Sequence, residues 1–352
     1  MKKMKHQTCK KYLIAIATCL VVIFGIVYYY FFSSFSVKSE TSYLYIDKDD
    51  SIDSVYNKLK PIANTHSFFA FRTLARHFDY AKHIHTGRYA ISKGEGALTL
   101  FRHLRNGQQT PVDLTIPSAV RTIGDLSHDV SEKLMIDEEQ LYDSLTNEQV
   151  CQRYGYDTTT IACIFIPNTY DIYWDVSIPK FLNRMQKESK KFWNFERTKK
   201  AEAMGLTPIQ VMTLASIVDS ETNNDGEKPM IAGLYYNRLM LRSAKYPEGM
   251  PLQSDPTIKF AWKRFDLKRI YNNLLYIHSP YNTYKNPGLP PGPICIPSVT
   301  GIDAVLNYVH HDYLYMCAKE DFSGTHNFAR TYTEHMENAA RYSKALNERG
   351  IK

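Results

Sequence analysis

Residues 12–32 are uncharged and mostly apolar, a run of roughly 20 residues that at 1.5 Å per residue can cross a bilayer core. Tyr28, Tyr29, Tyr30, Phe31 and Phe32 close it, where interfacial aromatics belong. Lys2, Lys3, Lys5, Lys10 and Lys11 precede it, and no acid occurs before Glu40. The positive-inside rule therefore predicts a cytoplasmic head (1–11), a single-pass anchor (12–32) in the plasma (inner) membrane, and everything after about Ser33 outside. A cleavable signal peptide is the alternative. The run is longer than a usual signal core and no Ala-x-Ala-like site follows it, which favours a retained anchor.

Beyond a Ser-containing tether (33–42), period-two apolarity gives way to period 3.6 three times. Residues 43–46 read as a strand, followed by Asp49-Asp50-Ser51 as cap and Ile52, Val55, Tyr56 and Leu59 at helical spacing. Gly87 to Ile91 lead likewise to Leu98, Phe101 and Leu104, and Val112 to Ile116 to Ile123, Leu126 and Val130. A further helix is predicted over 68–77. Short strands with helices on one face predict an α+β module region over 43–150. After a connecting segment (151–206), helices are predicted over about 207–222, opened by Thr207-Pro208, and about 228–241. A loop-rich stretch, a strand-like run over 313–318 and a C-terminal helix complete a region spanning 207–352.

One carboxylate stands out in the helix over 207–222. Glu221 falls on the stripe of Leu214, Ile217 and Val218, its i−7, i−4 and i−3 neighbours, which should face the core. A half-buried carboxyl keeps its proton to higher pH, as a general acid requires. Asp219 points to the opposite side. The bland alternative is a partly exposed Glu that merely ends a core helix.

Composition adds exclusions. Five of the 43 Lys and Arg precede the anchor, and the remainder exceed the 36 Asp and Glu by only two. No concentrated basic patch supports nucleic-acid binding. The 12 His include no His-Glu-x-x-His, and no Gly-x-Ser-x-Gly occurs, so no metal, cofactor or hydrolase triad is expected. Cys151, Cys163, Cys295 and Cys317 allow three full disulfide pairings, with buried free thiols at least as strong an expectation.

Taken together and in order, several segments resemble the YceG-like endolytic murein transglycosylases. They are Ala215-Ser216-Ile217-Val218 with Glu221-Thr222, Asn237-Arg238-Leu239, Leu252-Gln253-Ser254-Asp255-Pro256-Thr257, Tyr281-Asn282-Thr283-Tyr284, Gly288-Leu289-Pro290-Pro291-Gly292, and His326 with Phe328. Gly87-Arg88-Tyr89 and Pro167-Asn168-Thr169-Tyr170 match upstream. The resemblance implies a membrane-anchored enzyme with a LysM-like α+β module and a catalytic domain over 207–352 that cuts peptidoglycan strands internally. It maps the catalytic glutamate onto Glu221. The family often carries a second Glu where this chain has Asp219, whose direction suggests a structural role.

Such enzymes need one carboxyl, acting as acid and then base, with the muramoyl 6-hydroxyl as nucleophile. Asn237, Arg238, Gln253, Ser254, Asp255, Tyr281, Asn282, Tyr284 and His326 suit a sugar cleft, since amides and hydroxyls bond sugar groups and Tyr rings stack on sugar faces. Each has a plainer role as turn former or cap, and Arg238 could pair with a buried acid. The Pro/Gly loop reads as cleft wall. Expected partners are peptidoglycan strands, the plasma membrane and cell-wall synthases. The rival functions are a non-catalytic glycan-binding scaffold and a muramidase, which would need a second carboxylate, Asp219 or Asp255.

Overall fold

The computed structural model describes residues 2–267 and 269–349; Met1 of the predicted head and 350–352 of the predicted catalytic region lie outside them. The chain divides into two compact units. Unit 1 comprises 1–113, 133–135 and 171–176, and unit 2 comprises 114–132, 136–170 and 177–352. This division does not follow the sequence boundary at residue 150.

Unit 1 begins with α1 (Lys2–Phe31), whose stretch Lys10–Phe31 is apolar and long enough to cross a membrane. Antiparallel strands β1 (Ser42–Ile46) and β2 (Gly87–Ile91) pair with Ser42 opposite Ile91 and Ile46 opposite Gly87. On β1, Leu44 and Ile46 are buried while Tyr43 and Tyr45 face out, the period-two alternation of a half-buried strand. Helices α2 (Ile52–Leu59), α3 (Thr65–His77) and α4 (Ala97–Arg105) enclose a core that includes Phe71, Tyr80, Tyr89 and Leu100. Ser51 caps α2 in a reciprocal capping box with Ser54.

The predicted tether is not a tether at its start. Phe35 is fully buried, its N–H donates to Glu95 O at 2.7 Å, and its carbonyl accepts from Asn64 N at 2.7 Å. The Asn64 side-chain amide donates to the carbonyls of Ser34 and Ser36. The backbone of 33–37 is thus knitted into the core of unit 1. The end of α1 joins it, with Tyr30 and Phe31 packed on that core and Tyr29 stacked on His66 at 4.0 Å between centroids.

Next in chain order come β3 (Val112–Ile116), α5 (Ile123–Ser131), α6 (Glu138–Thr146), α7 (Glu148–Arg153) and β4 (Asn168–Ile172), with β3 and β4 forming a second two-stranded sheet. Unit 2 continues through α8 (Ile178–Phe192) and α9 (Phe195–Ala203) to α10 (Pro208–Glu221). Helices α11 (Lys228–Met240), α12 (Asp255–Trp262) and α13 (Val299–Leu306) pack on α10. The antiparallel hairpin β5 (Tyr315–Ala318) and β6 (His326–Ala329) leads into α14 (Tyr332–Glu348). The fold is mixed α+β, with most of unit 2 helical.

The setting of α10 differs from the predicted stripe. Every residue from Val211 to Val218 is buried, so the helix is covered on all sides rather than on one face. Its sequence explains this: Val211, Met212, Leu214, Ala215, Ile217 and Val218 leave no polar face, and Thr213 and Ser216 bond back to the helix carbonyls of Ile209 and Thr213. Cys151, Cys163 and Cys295 are buried free thiols and Cys317 is a partly buried one.

Candidate active site

Thr207 caps α10, its hydroxyl accepting from Gln210 N while Gln210 Oε1 accepts from Thr207 N, and Pro208 occupies the first turn. Thr222, in extended conformation, stops the helix immediately after Glu221. The carboxyl therefore leaves the last turn of a buried helix, half-buried itself.

Glu221 Oε1 accepts two hydroxyl bonds, from Tyr235 Oη on α11 and from Ser254 Oγ at the start of α12, each at 2.6 Å. Both donors are nearly inaccessible to solvent. Two donors on one oxygen occupy its lone pairs, so in the neutral acid the proton belongs on Oε2. Burial pushes the Glu221 pKa above the ordinary carboxylate range. The bonds from Ser254 and Tyr235 oppose this, nearby Asp255 reinforces it, and His326 opposes it. The result is an acid with a defined proton position.

The cleft beside Glu221 measures about 230 Å³. Arg238, Gln253, Asp255, Tyr284 and His326 line it, together with Met316 to Ala318 of β5. On its β6 wall, His326 Nδ1 lies 2.9 Å from Glu227 Oε2, and the His326 backbone N–H donates to Glu227 Oε1 at 2.6 Å. Glu227 is buried and orients the ring. Tyr284 Oη donates to Asp255 Oδ1 at 2.5 Å. Gln253 sits in the left-handed region at φ +53°, a strained conformation for a side chain with a Cβ, held by its N–H on Thr283 O.

Arg238 departs from the sequence expectation of a buried acid partner. Its guanidinium donates to the carbonyls of Leu314 (2.5 Å), Leu252 (2.7 Å) and Pro251 (3.3 Å) and to Gln253 Oε1 (3.4 Å). It ties α11 to two irregular segments whose carbonyls would otherwise be unsatisfied.

Three predicted binding residues are not brought to this cleft. Asn237 donates to the carbonyls of His311 and Tyr313. Asn282, fully buried, donates to those of Leu275 and Ile277. Tyr281 packs on Phe260 at 4.7 Å between centroids and lines another cavity. The Pro/Gly loop borders a separate hollow with Ile209, Gln210 and Thr213. Those residues belong to the start of α10, and the 14-residue helix puts about 20 Å between its ends.

Asp219 faces away from the cleft. Its carboxylate accepts from Ser298 N (2.6 Å) and Ser298 Oγ (3.0 Å) and pairs with Lys228 Nζ (2.8 Å). It thereby anchors the N-terminus of α13, where a negative charge is favoured. A Cβ on Gly301 would collide with this carboxylate.

Sequence reasoning missed Tyr235 and Glu227. Tyr235 shares its helical stripe with Ile231, Leu234 and Leu239, so its hydroxyl was hidden in an apolar pattern. Glu227 precedes a helix that starts at Lys228, and only the hairpin's return brings His326 to it.

Residues 44–341 match the YceG-like family. Over 140 residues the chain is 36% identical to the endolytic murein transglycosylase of Bacillus subtilis (strain 168), covering 40% of this chain and 36% of that protein. It is 27% identical over 305 residues to the endolytic murein transglycosylase of Streptococcus pneumoniae serotype 2 (strain D39), covering 77% of this chain and 53% of that one. The chain thus spans about half the length of these relatives, or less. A crystal structure of a yceG-like protein from Listeria monocytogenes shares the fold, with a TM-score of 0.54 and 23% identity over 85% of this chain and 99% of that one.

Proposed function

The chain belongs to the YceG-like family, and from that premise we propose that it is a membrane-anchored endolytic lytic transglycosylase of peptidoglycan. The observation that carries this reading is Glu221, a carboxyl with a raised pKa, two fixed hydroxyl donors on one oxygen and an open cleft beside it. Both relatives bear the name endolytic murein transglycosylase, in keeping with that chemistry.

In this mechanism the Oε2 proton of Glu221 passes to the glycosidic oxygen between N-acetylmuramic acid and N-acetylglucosamine as the C1–O4 bond breaks. The resulting carboxylate, steadied by Tyr235 and Ser254, then accepts the proton of the muramoyl 6-hydroxyl. O6 bonds C1, closing a 1,6-anhydro ring, and Glu221 is protonated again. No water is consumed, and the nucleophile is tethered to the reacting sugar. Asp255, Tyr284, Gln253 and His326 are assigned to sugar binding around this acid. Asn237, Tyr281 and Asn282, assigned to sugar binding on sequence grounds, are given no contact with the reacting sugars.

Residues 12–32 are assigned as the anchor, with the head (1–11) cytoplasmic and everything after about Ser33 outside the plasma membrane. The α+β region over 43–150 is assigned as a LysM-like glycan-holding part, and cell-wall synthases as partners.

Mass spectrometry of the products of purified strands tests the reading. Anhydro-muramoyl ends support it. Reducing ends would make the chain a muramidase, with Asp255 as the second carboxylate in the cleft, and absence of products with retained strand binding would make it a scaffold.

A further inference from the structure

Unit 2 holds a larger cavity, about 450 Å³, that does not contain Glu221. Its walls include Ile123, Phe260, Tyr281 and Cys295, and two cations stand on its rim, Arg121 and Lys263. Among the described residues neither cation is paired with an acid. Lys263 Nζ lies over the Phe260 ring at 3.9 Å, and burial, unopposed by any carboxylate, lowers its pKa. The first turn of α5 also borders the cavity and adds the positive end of its dipole, while Asp125 of that turn is exposed and outside the lining. Apolar and aromatic walls under unpaired positive charge fit a small anionic ligand with an apolar body.

The position of the cavity narrows the choice. Helix α12 starts in the Glu221 cleft with Asp255 and reaches the second cavity with Phe260, then Lys263 just past its end. Eight residues of helix span about 12 Å. The loop carrying Tyr281 and Tyr284 makes the same link, one ring in each cavity. An extended peptide of four residues reaches at most about 14 Å. A stem peptide leaving a muramoyl residue held beside Glu221 could therefore lay its far carboxylate between Arg121 and Lys263.

We propose that this cavity is a second subsite that binds the carboxylate-terminated end of the peptidoglycan stem peptide, with its methyl side chains against Phe260 and Tyr281. The assignment rests on the peptidoglycan reading of the Glu221 cleft. It makes strand choice depend on stem length and on a free terminal carboxylate.

The test uses the full chain in detergent micelles and titrates Nα,Nε-diacetyl-L-Lys-D-Ala-D-Ala against its C-terminal amide. The free acid should bind about tenfold or more tighter, a preference typical of one charge-assisted contact. The double substitution Arg121→Gln/Lys263→Gln should abolish that preference, and Glu221→Gln should leave it intact. The double variant should raise KM for stem-bearing strands and leave stem-free strands unchanged. Equal binding of acid and amide, a preference surviving the double substitution, or displacement by equimolar inorganic phosphate would each overturn the proposal. Peptide binding is read without any cleavage, so a chain that binds the acid yet cuts no strand would refute the enzymatic reading and leave this one standing.

Discussion

The Tyr235 hydroxyl donates to Glu221 Oε1 at 2.6 Å, joining the end of one buried helix to the middle of the next. The bond stabilises the ionised acid, so its removal has a definite sign. Tyr235→Phe should raise the Glu221 pKa further and shift the alkaline limb of the rate–pH profile upward. The rate should fall by about tenfold, the usual worth of a bond to a charged group. A lowered limb would refute the arrangement.

Glu221→Gln retains size and hydrogen bonding but cannot donate and recover a proton. Release of 1,6-anhydro products should fall by on the order of 10² or more. Near-parental product release would remove Glu221 from the chemistry.

The same substitution has a stability consequence that depends on pH. The pKa of Glu221 is raised in the folded state, so its contribution is full below the ordinary carboxylate range and is lost as pH rises through the raised value. Gln does not titrate. Melting curves across pH should show Glu221→Gln gaining on the parent as pH increases; a gap that narrows instead would contradict the burial of this carboxyl.

Asp219→Asn should behave differently. It weakens the hold on Ser298 and leaves Lys228 with Asp225, costing about 1–3 kcal/mol of stability while activity falls far less than for Glu221→Gln. Gly301→Ala should be destabilising by the same route. Combined with Asp219→Ala its cost should shrink, because the obstructing carboxylate is gone. Strictly additive melting shifts would count against this contact.

The end of α1 can be tested by truncation. A fragment starting at residue 26 keeps Tyr30 and Phe31 on the core of unit 1, whereas one starting at residue 33 loses them. The shorter fragment should melt lower by about 3 °C or more in the transition of unit 1. Identical melts would mean that the contact contributes nothing.

Much of this was legible in the residues. The three strand-then-helix units that begin near Tyr43, Gly87 and Val112 were readable because period two changes to period 3.6 across cap residues. Thr207-Pro208 marked the start of α10, and the spacing of Glu221 from Leu214, Ile217 and Val218 made it conspicuous, although α10 is buried on every side rather than along one stripe. What failed was inference from polarity alone. Asn237 and Asn282 look like sugar-binding amides but serve stranded carbonyls, and such carbonyls arise only once irregular segments are folded. Ser33 to Val37 look like linker because Phe35 is one apolar residue among serines, and the rest of their attachment runs through the backbone, which side-chain patterns do not encode.

That attachment has a mechanical meaning. With 10–31 in a bilayer, the helix enters the core of unit 1 without an intervening slack segment, so it works as a post rather than a leash. A tilt of the post would then swing the part of unit 1 after residue 33 with it and would hold that part in a thin shell beside the lipid surface. Lengthening the chain between residues 31 and 35 with glycine and serine would turn the post into a leash and allow unit 1 to wander from that shell.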